Sequence, residues 1–100
     1  MRLINTTSSH IELVENQLRN TDAQLVEVYS AGNTDVIFTK AAKHYELLIT
    51  NKYRAIKEEE LEKIREFFLK RKIDQKSIVP DTIKTIHTNN LIEISFQIKD

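Results

Sequence analysis

His10, His44 and His87 are the side chains of this sequence best suited to moving a proton near neutral pH, yet none stands at a spacing that metal ligation uses. A helical metal pair would place its ligands at positions i and i+4, and no such pair appears. His10 falls in the first turn of an expected helix and His44 in a hairpin turn. His87 precedes the polar turn Thr88-Asn89-Asn90. Of the three it has the most suggestive neighbours, because Asn89 and the carboxylate of Glu93 follow closely and together could handle a proton or an anion. A plain turn histidine accounts for it better. Glu58, Glu59 and Glu60 are the other eye-catching group. Consecutive helical positions diverge by about 100°, so three such carboxylates do not converge on one ion. Their place at a helix start matches the helix dipole instead. No catalytic, metal or cofactor-binding residue is therefore assigned.

Arg65, Lys70, Arg71, Lys72 and Lys76 form the only basic cluster, and contact with phosphate or nucleic acid is the chemistry they could perform. Two observations weigh against strong binding. Lys plus Arg and Asp plus Glu stand at 15 each, so no net field draws in a polyanion, and no aromatic platform is interleaved with the cations. A helix C-terminus by itself selects for such residues. Asn51-Lys52-Tyr53-Arg54 is a second polar stretch that could flank the same surface, or serve as an ordinary solvated loop.

The absences exclude more. With no cysteine there is no disulfide, thiolate zinc site or cysteine nucleophile, and a reducing compartment is the natural expectation. A single Gly rules out the glycine-rich phosphate loops, and no nucleophile-elbow serine motif occurs. Met1 to Thr7 has no apolar run of signal-peptide length, and no window approaches the roughly 18 apolar residues of a membrane span. A cytoplasmic location is expected. The richness in Ile, Lys and Asn points to a low-GC bacterial genome.

The elements that must position these residues follow from periodicity. One hundred residues at 40% apolar and 30% charged suit one folded domain over residues 1–100. Arg2 to Thr6 can form a short strand. Ser9 followed by Glu12 reads as a capping box, opening a helix to about Asn20 with Ile11, Val14 and Leu18 as its apolar stripe. Gln24 to Tyr29 and Val36 to Phe38 read as strands joined through Ala31-Gly32-Asn33, and Tyr45 to Thr50 as a third. The clearest helix begins near Lys57: Glu58, Glu59 and Glu60 lie in its first turn, Lys70, Arg71 and Lys72 in its last, and Leu61, Ile64 and Phe68 on its apolar face. Past Ile73, Pro80 suits a short helix, and a strand through Lys84 to His87 competes with it. Ile92, Ile94, Phe96 and Ile98 alternate strictly with polar residues in a closing strand. The order β-α-β-β-β-α-(short helix)-β predicts an α+β two-layer sandwich, a mainly antiparallel sheet with two helices on one face.

Leu13-Val14-Glu15-Asn16-Gln17-Leu18, Asn20-Thr21-Asp22-Ala23, Val28-Tyr29-Ser30-Ala31-Gly32-Asn33-Thr34 and Phe68-Leu69-Lys70-Arg71 resemble stretches of the uncharacterised Lactobacillales proteins grouped as domain of unknown function 1827. The similarity spans nearly the whole chain. It implies a small cytoplasmic bacterial protein and brings no activity, cofactor or site with it.

Three functions remain. Strands apolar on both faces favour a non-catalytic protein-interaction or regulatory module, expected as a homodimer. A weak RNA or phosphate-ligand binder using Arg65, Lys70, Arg71, Lys72 and Lys76 is the alternative. An enzyme or enzyme inhibitor built on His87, Asn89 and Glu93 is the third.

Overall fold

A computed structural model describes residues 2–99; Met1 and Asp100, the ends of the expected domain, lie outside the described residues. The strands are β1 (Ile4–Asn5), β2 (Leu25–Ala31), β3 (Thr34–Lys40), β4 (His44–Asn51), β5 (Lys84–Thr88) and β6 (Leu91–Gln97). The helices are α1 (Ile11–Asn20) and α2 (Glu58–Arg71), with 3-10 turns at Thr7–His10, Gln75–Ser77 and Pro80–Thr82. The strands form one sheet in the order β1-β2-β3-β4-β6-β5, antiparallel at every junction. The expected α+β class, antiparallel sheet and two helices are what the chain forms. Both readings of the stretch after Ile73 occur in succession, the Pro80 turn and then the strand.

Local chemistry sets the connections. Gly32 takes φ +61° in the two-residue turn between Ala31 and Thr34, the left-handed region that costs other residues most. The register then alternates side chains between two faces. Tyr29, Val36, Phe38, Tyr45, Leu47, Ile49, Ile92, Ile94 and Phe96 share one face, and α2 lies on it with Leu61, Ile64 and Phe68 turned inward. Phe68 meets the rings of Tyr29 and Phe38 at centroid distances of 5.3 Å, the edge-on and tilted packing that aromatic quadrupoles prefer.

One detail departs from the expected two-layer form, in which both helices share a face. Val26 and Val28 belong to the opposite face by register, and both are buried, Val28 to 1% exposure. Gln17 of α1 shares a cleft with Ile37, Thr39, Glu46, Leu48 and Glu93, all on that opposite face. The helices therefore lie on opposite sides of the sheet. The Ser9 capping box also does not form: a 3-10 turn precedes α1, neither start carries a side-chain cap, and the Thr6 carbonyl receives the Ser9 amide at 3.0 Å. The chain leaves β1 too tightly for a helix to begin at Ser9. As a result α1 is rotated from its expected stance. His10, Leu13, Val14 and Gln17 are half-buried, while Ile11 is 56% exposed and Leu18 is also exposed.

Candidate functional site

The register separates the residues of the enzymatic reading. His87 pairs with Ile92 and so projects on the α2 side, whereas Glu93 pairs with Leu48 and projects on the other. Asn89 and Asn90 are occupied in bracing: their carbonyls accept the Ile56 amide at 3.1 Å and the Asn51 amide at 3.0 Å, and Asn90 Nδ2 donates to the Asn51 carbonyl at 3.2 Å. His10 Nδ1 lies 2.9 Å from the Thr6 carbonyl oxygen. Among the described residues no group of three or more His, Asp or Glu side chains is placed to hold a metal ion.

The brace belongs to a larger polar network that sequence reading took apart into a dipole-matching cluster and a solvated loop. Asn51 Nδ2 donates to Thr34 Oγ1 at 3.0 Å, and that hydroxyl donates to Glu60 Oε2 at 2.9 Å. Glu60 Oε1 accepts the Lys57 amide at 3.1 Å and a charged bond from Arg54. Asn51 Oδ1 in turn accepts the amides of Tyr53 and Arg54. Glu60 is only 9% exposed, and Thr34 and Asn51 are buried beside it. The Arg54 guanidinium, above all, holds the Glu60 carboxyl down at about 2, with the Lys57 amide and Thr34 hydroxyl adding to it against the cost of burial. Every polar group of this network has a partner, so its part is to lock the start of α2 to β3, β4 and the β5-β6 turn. The available signal was Lys57 to Glu60, the second half of a capping box.

The five basic residues do not share one surface. Lys70 and Arg71 line a cavity of about 420 Å³ together with Arg2, Lys63, Glu66 and Phe67. Within it Lys70 bonds Glu66 at 2.8 Å, and the Arg71 guanidinium stands 5.5 Å from the Phe67 ring centroid. Lys72 turns toward β2, 3.7 Å from Glu27 and 5.7 Å over the Tyr29 ring. Arg65 lines a different cleft, and Lys76 is exposed in the 3-10 turn at Gln75–Ser77. Arg2 and Lys63, absent from the sequence-based set, complete the basic cavity because the residues that precede β1 run beside α2.

The sheet face bearing α1 offers the other surface. Beyond the helix, Ile37, Leu48, Glu93 and Ile86 lie in one row across β3, β4, β6 and β5; Thr39, Glu46, Ser95 and Lys84 form the next. Ile37 and Leu48 are half-buried and Ile86 is 57% exposed. Burial pushes the Glu46 carboxyl up, and the nearby Glu93 carboxylate pushes it further, with His44 opposing weakly.

The chain matches the family defined as Domain of unknown function (DUF1827) over residues 1–97, and it belongs to that family. No curated protein matches it. Its fold is similar to the crystal structure of a conserved protein of unknown function from Streptococcus thermophilus, with 67% identity, a TM-score of 0.94, and coverage of 100% of this chain and 99% of that one. Neither finding assigns a role.

Proposed function

We propose that this protein is a non-catalytic interaction module that acts as a homodimer, the second copy docking on the part of the sheet that α1 leaves uncovered. The observation that carries the reading is the composition of that patch: Ile37 and Leu48 side by side at its apolar centre on β3 and β4, Glu46 and Glu93 next to them, and Ile86 and Lys84 on the edge strand β5. A two-fold contact lays one patch on a copy of itself, so each copy must supply an apolar centre and both signs of charge. The crowded Glu46 and Glu93 carboxylates favour an incoming cation, and Lys84 of a second copy is one. A net charge of zero sets no long-range repulsion between copies.

Light scattering and sedimentation across the micromolar range test this. A dimer is expected, Leu48→Asp or Lys84→Glu should convert it to monomer, and Lys84→Glu combined with Glu46→Lys should restore it. A monomeric wild type throughout the range overturns the reading. The bacterial cytoplasm is its proposed place, supported by the absence of cysteine and by the likeness to a Streptococcus protein.

A second reading, a weak binder of RNA or phosphate ligands, is favoured by one observation: Arg2, Lys63, Lys70 and Arg71 line one cavity with a single carboxylate, Glu66. Binding there should fall steeply with salt and be lost in Lys70→Glu with Arg71→Glu. Unchanged oligonucleotide and phosphate binding in that double variant removes it.

A further inference from the structure

The C-terminal half of α2 does not close completely over the sheet. Between it and the β5-β6 hairpin runs a cleft of about 240 Å³, floored by Leu47, Ile94 and Phe96 and walled by Ile73, Ile78 and Ile83. Protein interiors pack to crystal density and leave few voids larger than a water molecule, so an open apolar cleft of this size is space that a ligand can fill. Apart from Thr85, Arg65 is the only lining residue with a polar side chain. Among the neighbouring cations of the same helix end, Lys70 has the carboxylate partner Glu66 and Lys72 has Glu27, while Arg71 stands against the Phe67 ring with no carboxylate partner among the described residues. Arg65 likewise has none among the described residues. An unpaired guanidinium beside an apolar cleft has the chemistry of a site for a molecule with one anionic head and a short apolar tail.

We infer that this cleft binds a medium-chain carboxylate, with the tail against Ile73, Ile78, Ile94 and Phe96 and the carboxylate on Arg65. The cleft holds many times the space of a single water molecule, so it admits a short alkyl tail. The inference is independent of the proposed dimer contact, which uses the other face of the sheet.

The probe is octanoate, titrated into the full-length protein and followed by amide and methyl NMR shifts, with octanol as the uncharged control. Octanoate should give saturable shifts at Ile73, Ile78, Ile83 and Ile94, with a midpoint on the order of 100 µM to 1 mM. Arg65→Gln, a change at an exposed position, should weaken octanoate about tenfold and leave octanol unchanged. Ile83→Glu, which sets a like charge on an exposed wall residue, should weaken octanoate more than octanol. The inference is overturned by shifts that do not saturate, by shifts confined to Ile37 and Leu48, or by undiminished octanoate affinity in Arg65→Gln.

Discussion

Replacing Glu60 with Gln tests the polar network and its electrostatics together. In the folded chain the carboxyl titrates at about 2 against an ordinary 4.5. At about 1.36 kcal/mol per unit, that difference sets a ceiling of roughly 3.4 kcal/mol. The principal cause is Arg54, whose side chain is 44% exposed, so solvent screens much of the attraction and about 2 kcal/mol is the expected contribution. A carboxyl whose folded value is depressed is protonated first in the unfolded chain as pH falls. Its stabilisation is therefore fully present above pH 4.5 and is lost between 4.5 and about 2. Glutamine keeps one acceptor oxygen and loses the charge. Urea unfolding at pH 7 should thus show Glu60→Gln destabilised by about 2 kcal/mol, a melting point lower by roughly 8–16 °C. The gap between variant and wild type should narrow steadily as pH falls through 4.5 toward 2. A gap independent of pH would refute the electrostatic account, and a gap absent at pH 7 would refute the network's role altogether.

Glu46 carries the opposite sign. Its raised value means the folded chain takes up the proton first as pH falls, so the penalty from burial beside Glu93 is present near neutrality and relieved on acidification. Glu46→Gln should stabilise the monomer by less than about 1 kcal/mol at pH 7 and by less still at pH 5, as read by urea midpoints. Tyr29→Phe should be neutral or stabilising by about 1 kcal/mol in thermal melts, because the Tyr29 hydroxyl is buried without a hydrogen-bond partner and the Lys72 ammonium lies over its ring. Gly32→Ala should cost about 1 kcal/mol although the added methyl meets open space, since the cost arises from φ +61° alone.

Legibility in the sequence followed whether an element's partner was implied by its own pattern. The β2-β3 turn was visible in Gly32, β6 in its alternation, and α2 in Leu61, Ile64 and Phe68 flanked by opposite charges. For α1 two stripes sharing Val14 compete, one through Ile11 and Leu18, the other through Leu13 and Gln17, about a quarter turn apart. Apolar content favours the first. The tight exit from β1, visible only in three dimensions, selects the second and carries the helix to the other face. Of Arg65, Lys70, Arg71, Lys72 and Lys76, the adjacent Lys70 and Arg71 do share a cavity, whereas Arg65, more than a turn earlier on α2, lines a different cleft and Lys72 turns to Glu27 past the helix end, a division that adjacency in sequence does not show. The Glu60 network joins positions from Thr34 to Asn90, a relation no single window contains.

The unfinished parts of the molecule meet at one edge of the sheet. α1 covers Val26 and Val28 but not Ile37, Leu48 and Ile86, and α2 covers the centre of its face but leaves the cleft above Ile94 and Phe96 open. Both openings border the β5-β6 hairpin, and β5 is exposed along its whole length with hydrogen-bonded pairing on one side only. Such an edge invites two kinds of docking, strand addition along β5 or contact through the face, and the two have different signatures. Strand addition would protect the outward-facing amides of Lys84–Thr88 from hydrogen exchange. Contact through the face leaves those amides exchanging quickly and instead shifts the methyl resonances of Ile37, Leu48 and Ile86. Raising the protein concentration from about 1 µM to about 1 mM should therefore move these methyl signals while β5 exchange stays fast. Exchange at β5 that slows with concentration while the methyl signals stay fixed would transfer the interface from the face to the edge, and with it the roles given to Glu46, Glu93 and Lys84.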